Sequence, residues 1–217
     1  MKLFLIDVGG TLLHTGGAGI RALDRAFADA FGIADAMQPF DLAGMTDPVI
    51  VAQAYAHARG RAPTEVEVAD LLARYLVHLI DEVARASTYR LMPGVPDALP
   101  RLAAQGHLLG LATGNVEPGA RIKLARGGID GAFRFGGYGS DSPDRAELVR
   151  RAAERGRALA GRGIPDADVV VVGDTFRDVA AARANGFTAI GFDAAPHRRA
   201  ALVESAPDRI VTSFDEI

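Results

Sequence analysis

The sequence predicts an α/β protein, a doubly wound parallel sheet with an all-helical unit inserted near its N-terminus. Two observations carry this. From Pro93-Gly94 onward, apolar strand-sized runs alternate with helical periodicities, the pattern of βα units whose sheet is covered on both faces. Between about Thr15 and Thr88, directly after one opening strand, helices alone follow one another. At 217 residues the chain exceeds one average domain and falls short of two independent ones. A core of residues 1–14 and 88–217 with a helical cap of residues 15–87 fits that length.

Lys2 to Ile6 reads as a short apolar strand ending at Asp7, followed by the turn-forming Gly9-Gly10. Apolar residues then recur at helical spacing from Ile20 to Phe31 (Leu23, Ala26, Phe27, Ala30), and Gly32 stands where a helix terminates. A loop around Pro39 leads to a helix from about Asp47 to Arg59. Thr64 with Glu67 forms a capping box, after which Val68, Leu72, Tyr75, Leu79 and Val83 mark an apolar stripe. Beyond Pro93 the expected series is helix Val95 to Gln105, strand His107 to Ala112, helix Val116 to Arg126 and a strand about Phe133 to Phe135. It continues with helix Pro143 to Ala160, strand Val169 to Val172, helix Phe176 to Ala184 and strand Thr188 to Phe192. A short helix and a last strand near Arg209 to Val211 close the chain.

Half the residues are apolar and a quarter charged, a balance that supports a substantial buried core. The net charge of −3 is spread without a run of one sign, which argues against a nucleic-acid track or a membrane patch and favours small-molecule partners. There is no cysteine, hence no disulfide framework or thiolate metal site. The first residues form a strand with no cleavable signal pattern and no apolar run reaches membrane-spanning length, so a cytoplasmic location is the expectation.

Three predicted strands end in polar residues: Asp7 after LFLI, Thr113 after LLGLA and Gly173-Asp174 after VVVV. In a parallel sheet such tips lie side by side, with neighbouring strands about 4.8 Å apart, so their side chains converge on one small ligand. An Asp at a strand end also serves simply to accept hydrogen bonds from a turn or to cap the next helix. Asp7, Asp174 and Asp178 together would crowd carboxylates into one crevice, and a hard divalent cation taking oxygen ligands relieves that repulsion. Magnesium is the natural candidate.

The stretches LFLIDVGGTLL, LLGLATGN and VVVVGDTFRD resemble, in chain order, the first, second and fourth motifs of the haloacid dehalogenase superfamily. The helical insertion falls where members with a small helical cap carry theirs. The phosphoglycolate phosphatase-like branch is the nearest in pattern, through GMTD at Gly44 to Asp47 and PGV at Pro93 to Val95. The resemblance implies a Rossmann-like core and a phosphatase acting on a small phosphorylated metabolite. Asp7 would be the nucleophile, and Asp7, Asp174 and the carbonyl of Gly9 would hold magnesium, with Asp178 ordering the metal's surroundings or a cationic neighbour. Thr113, Gly114 and Asn115 would hold the phosphoryl group, with Thr46 approaching from the cap. The cation expected between the second and fourth motifs is Arg145 in DRAEL, where a lysine usually stands, with Lys123 in RIKL the competing choice.

The sequence departs from the family pattern at Gly9, where phosphatases carry a second Asp that protonates the leaving oxygen and later activates water. Glycine transfers no proton, and losing a positioned acid/base costs about 10²- to 10⁴-fold in rate. His14, five residues on, is one substitute and a water molecule another; a plain exposed loop residue is the simpler reading of His14. The cap contains no lysine, which argues against the Schiff-base chemistry of phosphonate-cleaving relatives. Dehalogenases need no metal and usually lack the Gly-Asp pair present at Gly173-Asp174. A response-regulator receiver has an acidic pair after its first strand and no insertion, unlike this chain. A pseudoenzyme that binds a phosphorylated ligand remains the alternative, and Gly9 is the feature that favours it.

Overall fold

The computed structural model describes residues 1–217. Six strands form one parallel sheet in the order β5-β4-β1-β6-β7-β8. These are β1 (Leu3–Ile6), β4 (Leu108–Thr113), β5 (Gly136–Tyr138), β6 (Val169–Gly173), β7 (Thr188–Phe192) and β8 (Arg209–Val211). The first strand is central, paired with β4 through Ile6 and Leu111 and with β6 through Ile6 and Val172. All four residues of β1 are buried, because side chains of successive residues face opposite sides of a sheet that is covered twice. Phe4 and Ile6 join one core with Leu99, Leu102 and Leu124. Leu3 and Leu5 join the other with Leu148, Ala152 and Val179. The first core is covered by α4 (Val95–Ala104) and α5 (Glu117–Arg126), the second by α6 (Arg145–Ala160) and α7 (Phe176–Ala184), with α8 (Arg199–Glu204) near the sheet's far edge.

Two short strands, β2 (Leu13–His14) and β3 (Arg90–Leu91), pair antiparallel where the chain leaves the core and where it returns. Between them lie α1 (Ala18–Phe31), α2 (Asp47–Arg59) and α3 (Glu65–Arg85), whose apolar faces make a third core around Phe27, Val51, Tyr55 and Tyr75. The fold is therefore a doubly wound α/β sheet with an inserted all-helical cap. Thr64 caps α3 as the sequence suggests, with Glu67 bonding back to the Thr64 amide. The buried stripe of α3 is Leu71, Tyr75, Leu79 and Val83, while Val68 and Leu72 flank it partly exposed. No helix is long and apolar enough to cross a membrane.

The strand expected at Phe133 to Phe135 lies three residues later, at Gly136–Tyr138. Phe133 and Phe135 instead plug the two opposite cores just before the strand. The strand itself is glycine-rich because α6 packs directly on it: a Cβ on Gly137 would overlap the Leu148 carbonyl. Its two glycines carry no hydrophobic signal. Helix α6 begins at Arg145, not Pro143, because Asp144 is its N-cap and accepts from the Ala146 amide at 2.8 Å.

Candidate active site

The strand register brings the tips of β1, β4 and β6 together. Asp7 follows β1, Thr113 ends β4, and Asp174 follows β6, all three buried. Asp178 lies in the first turn of α7 and folds back to the same place. Its Oδ2 accepts from the Thr175 amide at 3.1 Å and the Thr175 hydroxyl at 2.6 Å. This return is possible only beside glycine, since a Cβ on Gly173 would overlap the Asp178 carboxyl group. Oxygens of Asp7, Asp174 and Asp178 lie within 4.8 Å of one another. Three buried carboxylates at that range repel, and burial disfavours their charged forms. The Asp174 carboxyl is pushed up to about 7, first by burial and then by the charges of Asp7 and Asp178. That of Asp7 is pushed up to about 6 by burial, against the attraction of Arg145. All three donors are hard oxygens, so the set suits a hard divalent cation.

Two arginines offset part of this charge. Arg145, at the start of α6 and buried, directs Nη2 to Asp7 Oδ1 at 3.0 Å and to Asp178 Oδ1 at 2.6 Å. Its Nε donates to Asp178 Oδ1 at 2.8 Å and its Nη1 to the Gly44 carbonyl of the cap at 3.2 Å. Burial works against the guanidinium's charge, but Asp178 and Asp7 outweigh it and hold the group protonated. Arg198, on the loop after β7, donates to Asp174 Oδ2 at 2.8 Å and is half exposed. Lys123 is buried on α5 and reaches toward the cap: a Cβ on Gly19 would stand 3.6 Å from its Nζ. Burial pulls the Lys123 ammonium down, while Asp47 and Asp7 oppose the shift.

The loop after β4 is gripped by the cap. The Asp47 amide donates to the Gly114 carbonyl at 2.7 Å, and its carboxylate accepts from the Val116 amide at 2.9 Å and from Asn115 Nδ2 at 3.2 Å. A Cβ on Gly114 would overlap the Met45 carbonyl, so only glycine lets the two segments meet this closely. Thr113, Gly114, Asn115, Lys123, Arg145 and Arg198 all border one cavity of about 800 Å³ above Asp7. Thr46 does not. Its buried hydroxyl has no hydrogen-bond partner, and the residue borders a second cavity of about 580 Å³ between α2, α6 and α7.

Gly9 borders the large cavity, and a Cβ added there would meet no atom within 4 Å. His14, exposed on β2, also borders the cavity, and its Nδ1 accepts from the Gly16 amide at 3.1 Å. Burial, with Arg90 and Arg198 behind it, pulls the His14 imidazole below its usual value. Two members of the site escape the sequence patterns. Arg198 lies in a loop among the neighbouring basic residues HRR, and Asp47 reads there only as part of the GMTD loop; contact with Asp174 and the Val116 amide singles each out.

A cap closed over carboxylates at the tips of a parallel sheet defines a class of α/β hydrolytic enzyme in which the cap encloses the substrate. The chain belongs to the haloacid dehalogenase-like hydrolase family, whose model matches residues 1–186. It is 27% identical to a phosphoglycolate phosphatase of Haemophilus influenzae, covering 100% of this chain and 96% of that protein. A phosphoglycolate phosphatase of Pectobacterium atrosepticum is likewise 27% identical, over 97% of this chain and 88% of that one. Among solved structures, a predicted phosphoglycolate phosphatase from Haemophilus somnus superposes with a TM-score of 0.76 at 22% identity, covering 100% and 96% of the two chains. The protein CbbY from Rhodobacter sphaeroides in complex with phosphate superposes with a TM-score of 0.77 at 21% identity, with the same coverage.

Proposed function

We propose that this chain is a magnesium-dependent phosphatase of a small phosphorylated compound, with Asp7 as nucleophile. The convergence of the Asp7, Asp174 and Asp178 oxygens within 4.8 Å, with Arg145 bridging Asp7 and Asp178, carries this reading. The phosphatases among the relatives support it. Asp7, Asp174 and the Gly9 carbonyl would hold magnesium, which supplies charge neutralisation at the phosphoryl oxygens. An oxygen of Asp7 attacks phosphorus, and the bond from phosphorus to the ester oxygen breaks with its electron pair going to the leaving group. Water then attacks the aspartyl-phosphate at phosphorus, releasing orthophosphate and restoring the carboxylate. Thr113 and the Gly114 amide orient the phosphoryl group, Asn115 shapes the loop they share, and Arg145 holds Asp7 in place between Asp178 and the cap. Lys123 adds a second positive charge under the cap, and residues 15–87 act as the lid that excludes water during the attack.

Gly9 leaves the departing oxygen without a protein acid, so turnover is biased toward esters with good leaving groups. The open space at Gly9 also favours a second reading, a protein that binds a phosphorylated ligand and turns it over little or not at all. Phosphate release from an aryl phosphate, with and without magnesium, separates the two. Magnesium-dependent release that Asp7→Asn abolishes supports the enzyme; release unaffected by Asp7→Asn removes the nucleophile.

A further inference from the structure

The cavity above Asp7 is polarised along its length. Every Lys and Arg on its wall, namely Lys123, Arg145 and Arg198, gathers around the carboxylates at the sheet tips. Helix α1 leads away from that end. Gly19 lies beside the Lys123 ammonium, and Leu23 and Asp24 follow one turn later, about 5.4 Å along the axis. Asp24 holds the Met37 amide at 2.9 Å, which brings the segment around Asp35 and Met37 against the same wall. There the lining is Ile20, Leu23 and Met37, and the charged residues are Asp24 and Asp35; Asp41 lies nearer the sheet end, its Oδ1 accepting from the amide of Ala43, whose carbonyl accepts from Arg177. Ile20 is 49% exposed, an apolar side chain left open at the cavity wall.

The volume of about 800 Å³ lies in the range that encloses drug-sized molecules, about 300–1,000 Å³. A two-carbon phosphorylated acid would leave most of it empty. A second phosphate or a distal carboxylate would reach a wall with no cation, where the Asp24 and Asp35 carboxylates oppose it. We infer that the group esterified to phosphate is an extended, largely apolar organic moiety that carries no second negative charge. This deepens the phosphatase reading and rests on it for which end of the cavity takes the phosphate.

The test uses three phenyl phosphates bearing para-ethyl, para-aminomethyl or para-carboxymethyl groups beside phosphoglycolate, with the magnesium-loaded protein, each rate being corrected for the acidity of the phenol released. The ethyl and aminomethyl esters are expected to exceed the carboxymethyl ester in kcat/KM by at least about tenfold. The double variant Asp24→Asn/Asp35→Asn, which keeps the acceptor for the Met37 amide and removes two charges, is expected to narrow that ratio. A carboxymethyl ester or phosphoglycolate turned over as well as the ethyl ester overturns the inference, and so does a ratio the variant leaves unchanged. Calorimetric binding of the matching benzylphosphonates decides the case without turnover. If no ester is hydrolysed but the phosphonates bind in the same order, the phosphatase reading fails and the inference stands; if the carboxymethyl phosphonate binds as tightly as the ethyl one, the inference fails whatever the turnover.

Discussion

Arg145 on α6 reaches Asp7 at the tip of β1 across 3.0 Å, and it is the only basic side chain paired with that carboxylate. The same guanidinium holds Asp178 at 2.6 Å. Removing one partner of a buried ionic cluster costs about 3–5 kcal/mol, because the remaining charges are left uncompensated. Arg145→Ala is therefore expected to melt well below the wild type in metal-free buffer, with magnesium restoring part of the loss. Arg145→Lys keeps the charge but not the fork, and should fall between the two. Thermal melts of the three proteins, each with and without magnesium, check this order.

Gly9 and Gly10 are neighbours with opposite tolerance. A Cβ on Gly9 would meet nothing within 4 Å, whereas a Cβ on Gly10 would come 2.5 Å from Asp174 Oδ2, at a φ of +88° that disfavours any other residue. Gly9→Asp is expected to leave the melting temperature nearly unchanged and to raise kcat by about 10²-fold or more on an alkyl phosphate. Gly10→Ala should lower both stability and activity. If Gly9→Asp leaves kcat unchanged while His14→Ala removes it, the imidazole has taken the acid's place.

Asp47 ties the cap to the loop after β4, and burial raises its carboxyl above the ordinary 3.8 although Lys123 pulls the other way. The folded protein thus keeps a proton that the unfolded chain releases near that ordinary value. The Asp47 contribution is most favourable at or below pH 3.8 and declines as pH rises through the raised value. Asp47→Asn removes this titration. The wild-type melting temperature minus that of Asp47→Asn should fall as pH rises from about 4 toward neutrality. A difference that grows with pH contradicts the assignment.

The capping box at the start of α3 tests stability apart from chemistry. The Thr64 hydroxyl accepts from the Glu67 amide, and the Glu67 carboxylate accepts from the Thr64 amide at 2.8 Å. Thr64→Ala should cost about 0.5–2 kcal/mol and lower the melting temperature by a few degrees. KM and kcat on an aryl phosphate should stay within about twofold, because a lost helix cap away from the site changes stability and little else.

Legibility in the sequence followed the strength of the local signal. Strands β1, β6 and β7 are short apolar runs ending in turn residues, and all three stand within a residue of expectation. The strand β5 was displaced because close packing of α6 demands glycine where a hydrophobic pattern is sought. The ribbon of β2 and β3 is two residues long on each side, too short for any periodicity to show. Within the site, carboxylates at strand ends stand out because buried acids interrupt apolar runs. Arg198 and the clasp of Asp47 do not, since each depends on a partner far away in the chain: Asp174 for one, Val116 for the other. Thr46, expected at the substrate, borders the second cavity instead of the one above Asp7, where its backbone starts α2 beside the loop at Gly114.

Calorimetric titration of magnesium into the metal-free wild type and into Asp174→Asn tests whether the two carboxylates hold one ion. Binding of one ion per chain is expected, weakened by at least about 10²-fold in the variant, as befits a direct ligand. Absence of binding to the wild type, or equal affinity in both proteins, would contradict the shared grip of Asp7 and Asp174 on one cation.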